Sequence, residues 1–380
     1  MRRFGLLLVM LIAVLGVSAV SAQASIEGIE WDCPAEFAGQ TLNVYNWSTY
    51  VAPDTISNFE TLCGVTVNYD VYGSNDELQA RLRQGNPGFD IVVPTNDTLA
   101  SMIAEGLLEP LDHSLIPNMA NVSPGLLDTV FDPGNVYSMP YQWGTMGIGY
   151  NYTNVGEEVT SWQQFFEYGG TVAWIEDKRA VFAIALKMLG LNPNTTDQAE
   201  IDVAKSFLIE NGNNVISIAP DDGQEQLARG EADMVFEWSG DILQVIAQCA
   251  EVTACTSDFR YVIPEEGSIA WIDNMSIPVG ALNPGLAHAF IDYILDPKVG
   301  ADISNFTAFS SPNQASIDAG LIDEALLNDP ALYPGEVQME NLVFVLTPTG
   351  TTEDGQDLMA VTEQRYGDAW DEIKIGIGAS

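Results

Sequence analysis

Over residues 42–106 short apolar runs alternate with amphipathic stretches, and that alternation restricts the fold more than any other feature. Leu42-Asn43-Val44-Tyr45 reads as a buried strand, followed by a loop, Asn46-Trp47-Ser48-Thr49-Tyr50. Pro53 opens a helix through Ile56, Phe59 and Leu62 that Gly64 ends, the punctuation expected at the two ends of a helix. Val65, Val67, Tyr69 and Val71 then share one face of a second strand. The pattern predicts a helix over 76–83, a continuous apolar strand over 89–93 broken by Pro94, and a helix over 98–105. Strand–helix–strand–helix–strand is the grammar of an α/β unit with a mostly parallel sheet.

Residues 141–150 read as extended and Gly-rich, a crossover into a second unit of the same kind. Strands are predicted there over 170–175, 232–238, 259–264 and 270–278. Helices are predicted over 179–189, 201–210, 241–249 and 287–295, with further helical stretches over 322–327 and 359–373. A length of 380 residues agrees with two domains. No tandem repeat is visible.

The first 24 residues read as a secretory signal peptide. Arg2 and Arg3 form the basic start, residues 6–17 are an apolar run, and Ala22-Gln23-Ala24 is a small-x-small cleavage pattern. Twelve helical residues rise about 18 Å, short of the ~30 Å hydrocarbon core, so the run does not span a membrane. A soluble, exported, periplasmic product is expected. Its four cysteines, Cys33, Cys63, Cys249 and Cys255, allow three connectivities, and an oxidising compartment permits pairing. Cys249 and Cys255 lie so close in sequence that a local staple is expected, leaving Cys33 with Cys63. No metal-ligand spacing is present.

Thirteen Lys+Arg face 53 Asp+Glu, a formal charge of −40. Such a surface repels nucleic acid and anionic lipid and attracts cations. The chain has no Walker loop, no H-E-x-x-H and no G-x-S-x-G, and its two histidines leave little for acid–base catalysis at neutral pH. No cofactor is expected.

Ligands of open parallel sheets bind beyond the carboxyl ends of the strands. Those positions hold Trp47-Ser48-Thr49-Tyr50, Thr95-Asn96-Asp97, Glu176-Asp177, Trp238-Ser239-Gly240-Asp241 and Trp271-Ile272-Asp273. Indole faces attract cations and pack methylene chains, while carboxylates pair with ammonium groups. A flexible diamine matches both surfaces, although sugar sites also combine Trp with Asp. Each residue has a plainer role as well: a strand-end Trp packs in cores, and Asp177 or Asp241 could simply cap a helix. Glu237 points to the other face of its strand and is left out.

In these segments the chain resembles the periplasmic polyamine-binding proteins, spermidine/putrescine type, of ABC importers. The resemblance runs from about Leu42 to the C-terminus. It is sharpest in Tyr45-Asn46-Trp47-Ser48-Thr49-Tyr50-Val51-Ala52-Pro53-Asp54-Thr55, Phe89-Asp90-Ile91-Val92-Val93-Pro94, Met139-Pro140-Tyr141-Gln142-Trp143-Gly144 and Pro264-Glu265-Glu266-Gly267 with Trp271-Ile272-Asp273. It implies a type II periplasmic binding protein fold: two α/β lobes, each a mostly parallel sheet flanked by helices, with ligand in the interlobe cleft. Lobe one would be 41–143 plus 273–318, and lobe two 144–272 plus 319–380. The product would be a monomeric, non-catalytic receptor that hands a polyamine to an inner-membrane permease. The alternatives are another small amine, an amino acid, or a secreted carboxylate-dependent hydrolase. Position by position, Trp47 and Trp238 would line the pocket, Trp271 would stack on methylenes, and Ser48 and Thr95 would hydrogen-bond. Asp273 and Asp241 would meet amines, Asp177 matches an acid of spermidine-type members, and Phe309 replaces a frequent tyrosine. Two departures stand out: Thr49 and Ala180 occupy positions where relatives carry acids. Asp97 is expected to replace the first, and Glu176 or Asp177 the second.

Overall fold

The computed structural model describes residues 25–220 and 222–378, so the signal-peptide reading lies outside the described residues. Its strands are β1 (Thr41–Trp47), β2 (Thr66–Tyr72), β3 (Ile91–Val92), β4 (Ser138–Asn151), β5 (Val172–Ile175), β6 (Val215–Ala219), β7 (Met234–Trp238), β8 (Phe259–Val262), β9 (Ile269–Ser276) and β10 (Val343–Phe344). They form one sheet in the order β2-β1-β3-β9-β4-β7-β5-β6, with β10 beside β9 and β8 beside β4.

β4 organises the molecule. Residues 138–145 pair antiparallel with β9, and 146–150 pair antiparallel with β7. One long strand thus joins a half built on parallel β2-β1-β3 to a half built on parallel β7-β5-β6. The domain boundaries expected after 143 and 272 fall inside β4 and β9. Both disulfides form as the spacing predicts, with Cα–Cα distances of 5.2 Å for Cys33–Cys63 and 5.3 Å for Cys249–Cys255.

Most expected elements are present, and three of the differences are instructive. Val71 is 53% exposed and Tyr72 is buried instead, because β2 is an edge strand whose outer face meets water. β6 was not foreseen: Val215-Ile216-Ser217-Ile218-Ala219 has the polar Ser217 on one face and the exposed Ile216 on the other. The helix Pro297–Thr307 was also unforeseen, although its signals are local: Asp296 caps the main-chain N–H groups of Lys298 and Val299, and Pro297 takes the first turn. Among the described residues no helix is long and apolar enough to cross a membrane.

Candidate functional site

The carboxyl ends of β1, β3, β5 and β7 converge where β9 crosses between the halves. β1 delivers Trp47, whose indole N–H donates to the Val93 carbonyl at 3.0 Å and fixes the ring across the end of β3. β7 ends at Trp238, the cap residue of the helix Ser239–Glu251, which places Asp241 in that helix's first turn. On β9, Trp271 and Asp273 are two residues apart and share a face. Two glycines admit the rings. A side chain at Gly144 would stand 2.8 Å from the Trp271 indole, and one at Gly240 would stand 2.5 Å from the Phe309 ring.

These residues enclose a proximal hollow of about 350 Å³ lined by Trp47, Ser48, Tyr50, Thr95, Trp238, Asp241, Trp271, Asp273 and Phe309. Four of its five rings form a continuous run. Trp271 meets Trp238 edge-on at 5.3 Å and Phe309 at 5.1 Å, and Phe309 meets Tyr50 at 5.4 Å. No lysine, arginine, asparagine or glutamine lines it among the described residues.

Asp273 is the most informative residue here. It sits inside a strand, so helix capping cannot explain it. Thr95 and Tyr50 donate hydroxyl hydrogen bonds to its two oxygens at 2.7 and 2.8 Å. The helix Asn96–Ala104 begins directly after Thr95, yet the Thr95 hydroxyl does not cap it and turns to Asp273 instead. Asn75 holds that hydroxyl with a donated bond of 2.9 Å, and Tyr141 donates to the Tyr50 carbonyl. Burial pushes the Asp273 carboxyl up to about 7; the two hydroxyls pull it down and nearby Asp97 pushes it up. Burial, Asp273 and the hydrogen bond to it keep the Tyr50 phenol protonated, as a donor.

Past Trp47 and Trp238, which both hollows share, lies a distal hollow of about 690 Å³. It holds Asp97, Glu176 and Asp177, together with Asp76, Glu363, Lys178 and Arg179. Burial raises Asp97 to about 7, with Asp177 adding to the rise and Arg179 opposing it. Burial also raises Asp177, while the Ala180 N–H and Lys178 oppose that rise. Asp177 is a helix cap as well: it accepts from the Ala180 N–H at 2.9 Å. Arg179 is engaged by Glu363 at 3.0 Å, by the Leu346 carbonyl at 3.3 Å, and over the Tyr366 ring at 4.4 Å.

Nine of the twelve sequence-predicted residues therefore meet in the proximal hollow, and Asp97 and Asp177 line the distal one. Thr49 is corrected. Its left-handed backbone (φ 47°) sits at the turn after β1 and leaves the side chain exposed, lining neither hollow, while Ser48 and Tyr50 beside it line the proximal one. Glu237 is buried and lines neither hollow. Sequence reading missed Asn75, Asp76, Lys178 and Glu363. The strand-end rule applied to the turn after β2 reaches Asn75 and Asp76; no local signal marks Glu363. Both histidines are engaged by the main chain: His113 with the Asn135 carbonyl, and His288 with the Pro284 carbonyl and the Asp112 N–H.

The chain is similar to known proteins in sequence and in fold. The family described as bacterial extracellular solute-binding protein matches residues 54–333. The putrescine-binding periplasmic protein SpuD of Pseudomonas aeruginosa is 33% identical over 391 residues, covering 99% of this chain and 100% of the relative. The putrescine-binding periplasmic protein PotF of Escherichia coli is 34% identical over 311 residues, covering 78% and 83%. Among solved structures, a putative spermidine/putrescine ABC transporter from Listeria monocytogenes superposes with a TM-score of 0.79 at 30% identity, covering 88% of this chain and 99% of that one. The fold is that of the type II periplasmic binding proteins. With its ring-walled, carboxylate-bearing hollow set between two α/β halves, the chain belongs to the bacterial extracellular solute-binding protein family.

Proposed function

We propose that this protein is an extracytoplasmic receptor that captures a protonated polyamine of the putrescine or spermidine class and delivers it to an ABC importer. One observation carries the reading: the proximal hollow combines two carboxylates, Asp241 and Asp273, with five aromatic rings and no cation among the described residues. Ammonium ends pair with the carboxylates, and the methylenes lie against the indoles. An amino-acid carboxylate needs an arginine, and Arg179 is ion-paired with Glu363 in the other hollow. The relatives' printed names support the amine.

The sheet halves act as lobes that part and close about β4 and β9, so that the closed form docks on the permease. The first 24 residues direct export to the periplasm, the receptor works as a monomer, and the ligand leaves unaltered.

A thermal-shift screen of the mature chain tests this reading. Putrescine, cadaverine, spermidine and spermine are compared with glutamate and glucose. At 100 times its Kd a ligand stabilises by about 2.7 kcal/mol, a readable rise in Tm. At least one amine raises Tm, glutamate and glucose do not, and the amine is recovered intact. A folded chain that no amine stabilises overturns the proposal.

A further inference from the structure

We infer that Lys178 is a built-in cation in the wall of the distal hollow that restricts the receptor to short diamines. The inference rests on the amine reading above and names the substrate class within it. The two hollows differ in one respect that matters for a cation. The proximal one contains carboxylates and no basic lining residue, whereas the distal one holds two ion-paired cations, Lys178 and Arg179, among five acids.

Lys178 opens the helix Lys178–Met188, in the half of the sheet built on β7-β5-β6. Its ammonium reaches Asp76, on the helix Asn75–Arg83 of the other half, at 3.1 Å, and lies 3.5 Å from Glu363 on the C-terminal helix. Its side chain is 17% exposed and lines the distal hollow, while the carboxylates it pairs with, Asp76 and Glu363, are 76% and 38% exposed. A lysine side chain is an alkyl chain ending in an ammonium, an aminoalkyl unit one methylene longer than the aminopropyl arm by which spermidine extends putrescine. A ligand seated against Trp271 and continuing past Trp47 and Trp238 enters a space where that unit is already present, covalently attached and ion-paired. Its distal ammonium would meet a like charge and compete for Asp76. Arg179 cannot give way, because Glu363, the Leu346 carbonyl and the Tyr366 ring hold it. A diamine needs only the proximal hollow, where Asp241 and Asp273 are two carboxylates for two ammonium groups.

Calorimetric titration of the mature wild-type chain, Lys178→Met and Lys178→Arg with putrescine and with spermidine tests this. Wild type binds putrescine at least tenfold more tightly than spermidine. Lys178→Met raises spermidine affinity at least tenfold and changes putrescine affinity by less than threefold. Lys178→Arg, which keeps the charge, keeps the wild-type preference. Wild type that favours spermidine, or a Lys178→Met that folds with an unchanged Tm and gains no spermidine affinity, overturns the inference while leaving the receptor reading intact. Loss of both affinities in Lys178→Met assigns Lys178 a structural role and also overturns it. A wild-type chain that binds neither amine overturns the receptor reading and this inference together.

Discussion

Asp273→Asn will weaken polyamine binding on the order of a hundredfold or more, without destabilising the empty protein. Removing one partner of a buried, hydrogen-bonded charge pair costs about 2–5 kcal/mol. Asparagine preserves the shape, and the Thr95 or Tyr50 hydroxyl can turn to accept from the amide. The pH dependence separates this from a packing defect. In the empty protein Asp273 holds its proton up to about 7, against an ordinary carboxyl value of 3.8. The folded state therefore binds that proton more tightly than the unfolded chain does. The empty wild type loses this stability as pH rises from the ordinary carboxyl range through about 7. Asparagine never ionises, so the empty variant is at least as stable as wild type at pH 8. An ammonium ligand favours the ionised carboxylate, so wild-type affinity rises between pH 6 and pH 8 as the competing proton leaves. The slope contributed by Asp273 disappears in the variant. Calorimetry at both pH values checks this; wild-type affinity in Asp273→Asn at pH 8 would remove Asp273 from the site.

Trp271→Ala comes second, with effects on both folding and binding. The indole is 3% exposed and wedged between Trp238 and Phe309, over the space that Gly144 leaves. Truncating a buried tryptophan costs about 3–5 kcal/mol. For a chain of this length that lowers Tm on the order of 5 °C. Binding falls further, because the methylene contact and the cation–π attraction are both lost. Trp271→Phe restores a ring, so it recovers most of the Tm and part of the affinity. Trp271→Ala with full amine affinity would show that the indole belongs to the core and not to the wall of the site.

Residues whose position follows from local pattern were legible in the sequence. Trp47, Thr95 and Trp238 end strands that apolar runs and turn residues announce, and the rule about carboxyl ends then points at the ligand. The pairings of Cys33 with Cys63 and Cys249 with Cys255 followed from spacing. Thr49 was misplaced because nothing in Trp47-Ser48-Thr49-Tyr50, which contains no glycine, signals a left-handed turn. Lys178 and Asp76 were invisible as a pair: they are 102 residues apart, and only the sheet order brings the turn after β2 to the start of the helix after β5. Asp177 was readable as a cap or as a ligand group, and it is a cap that also lines the distal hollow. What tertiary topology brings together, local periodicity does not record.

The most direct test of the central claim compares putrescine with 1,4-butanediol, the same four-carbon skeleton with hydroxyls in place of ammonium groups, by calorimetric titration of the mature chain at pH 8. Saturable one-to-one binding of putrescine, with no binding of the diol at equal concentration, is the predicted result. Equal affinity for the two, or no binding of putrescine or any longer amine by a folded chain, would contradict a site built to pair carboxylates with protonated amines.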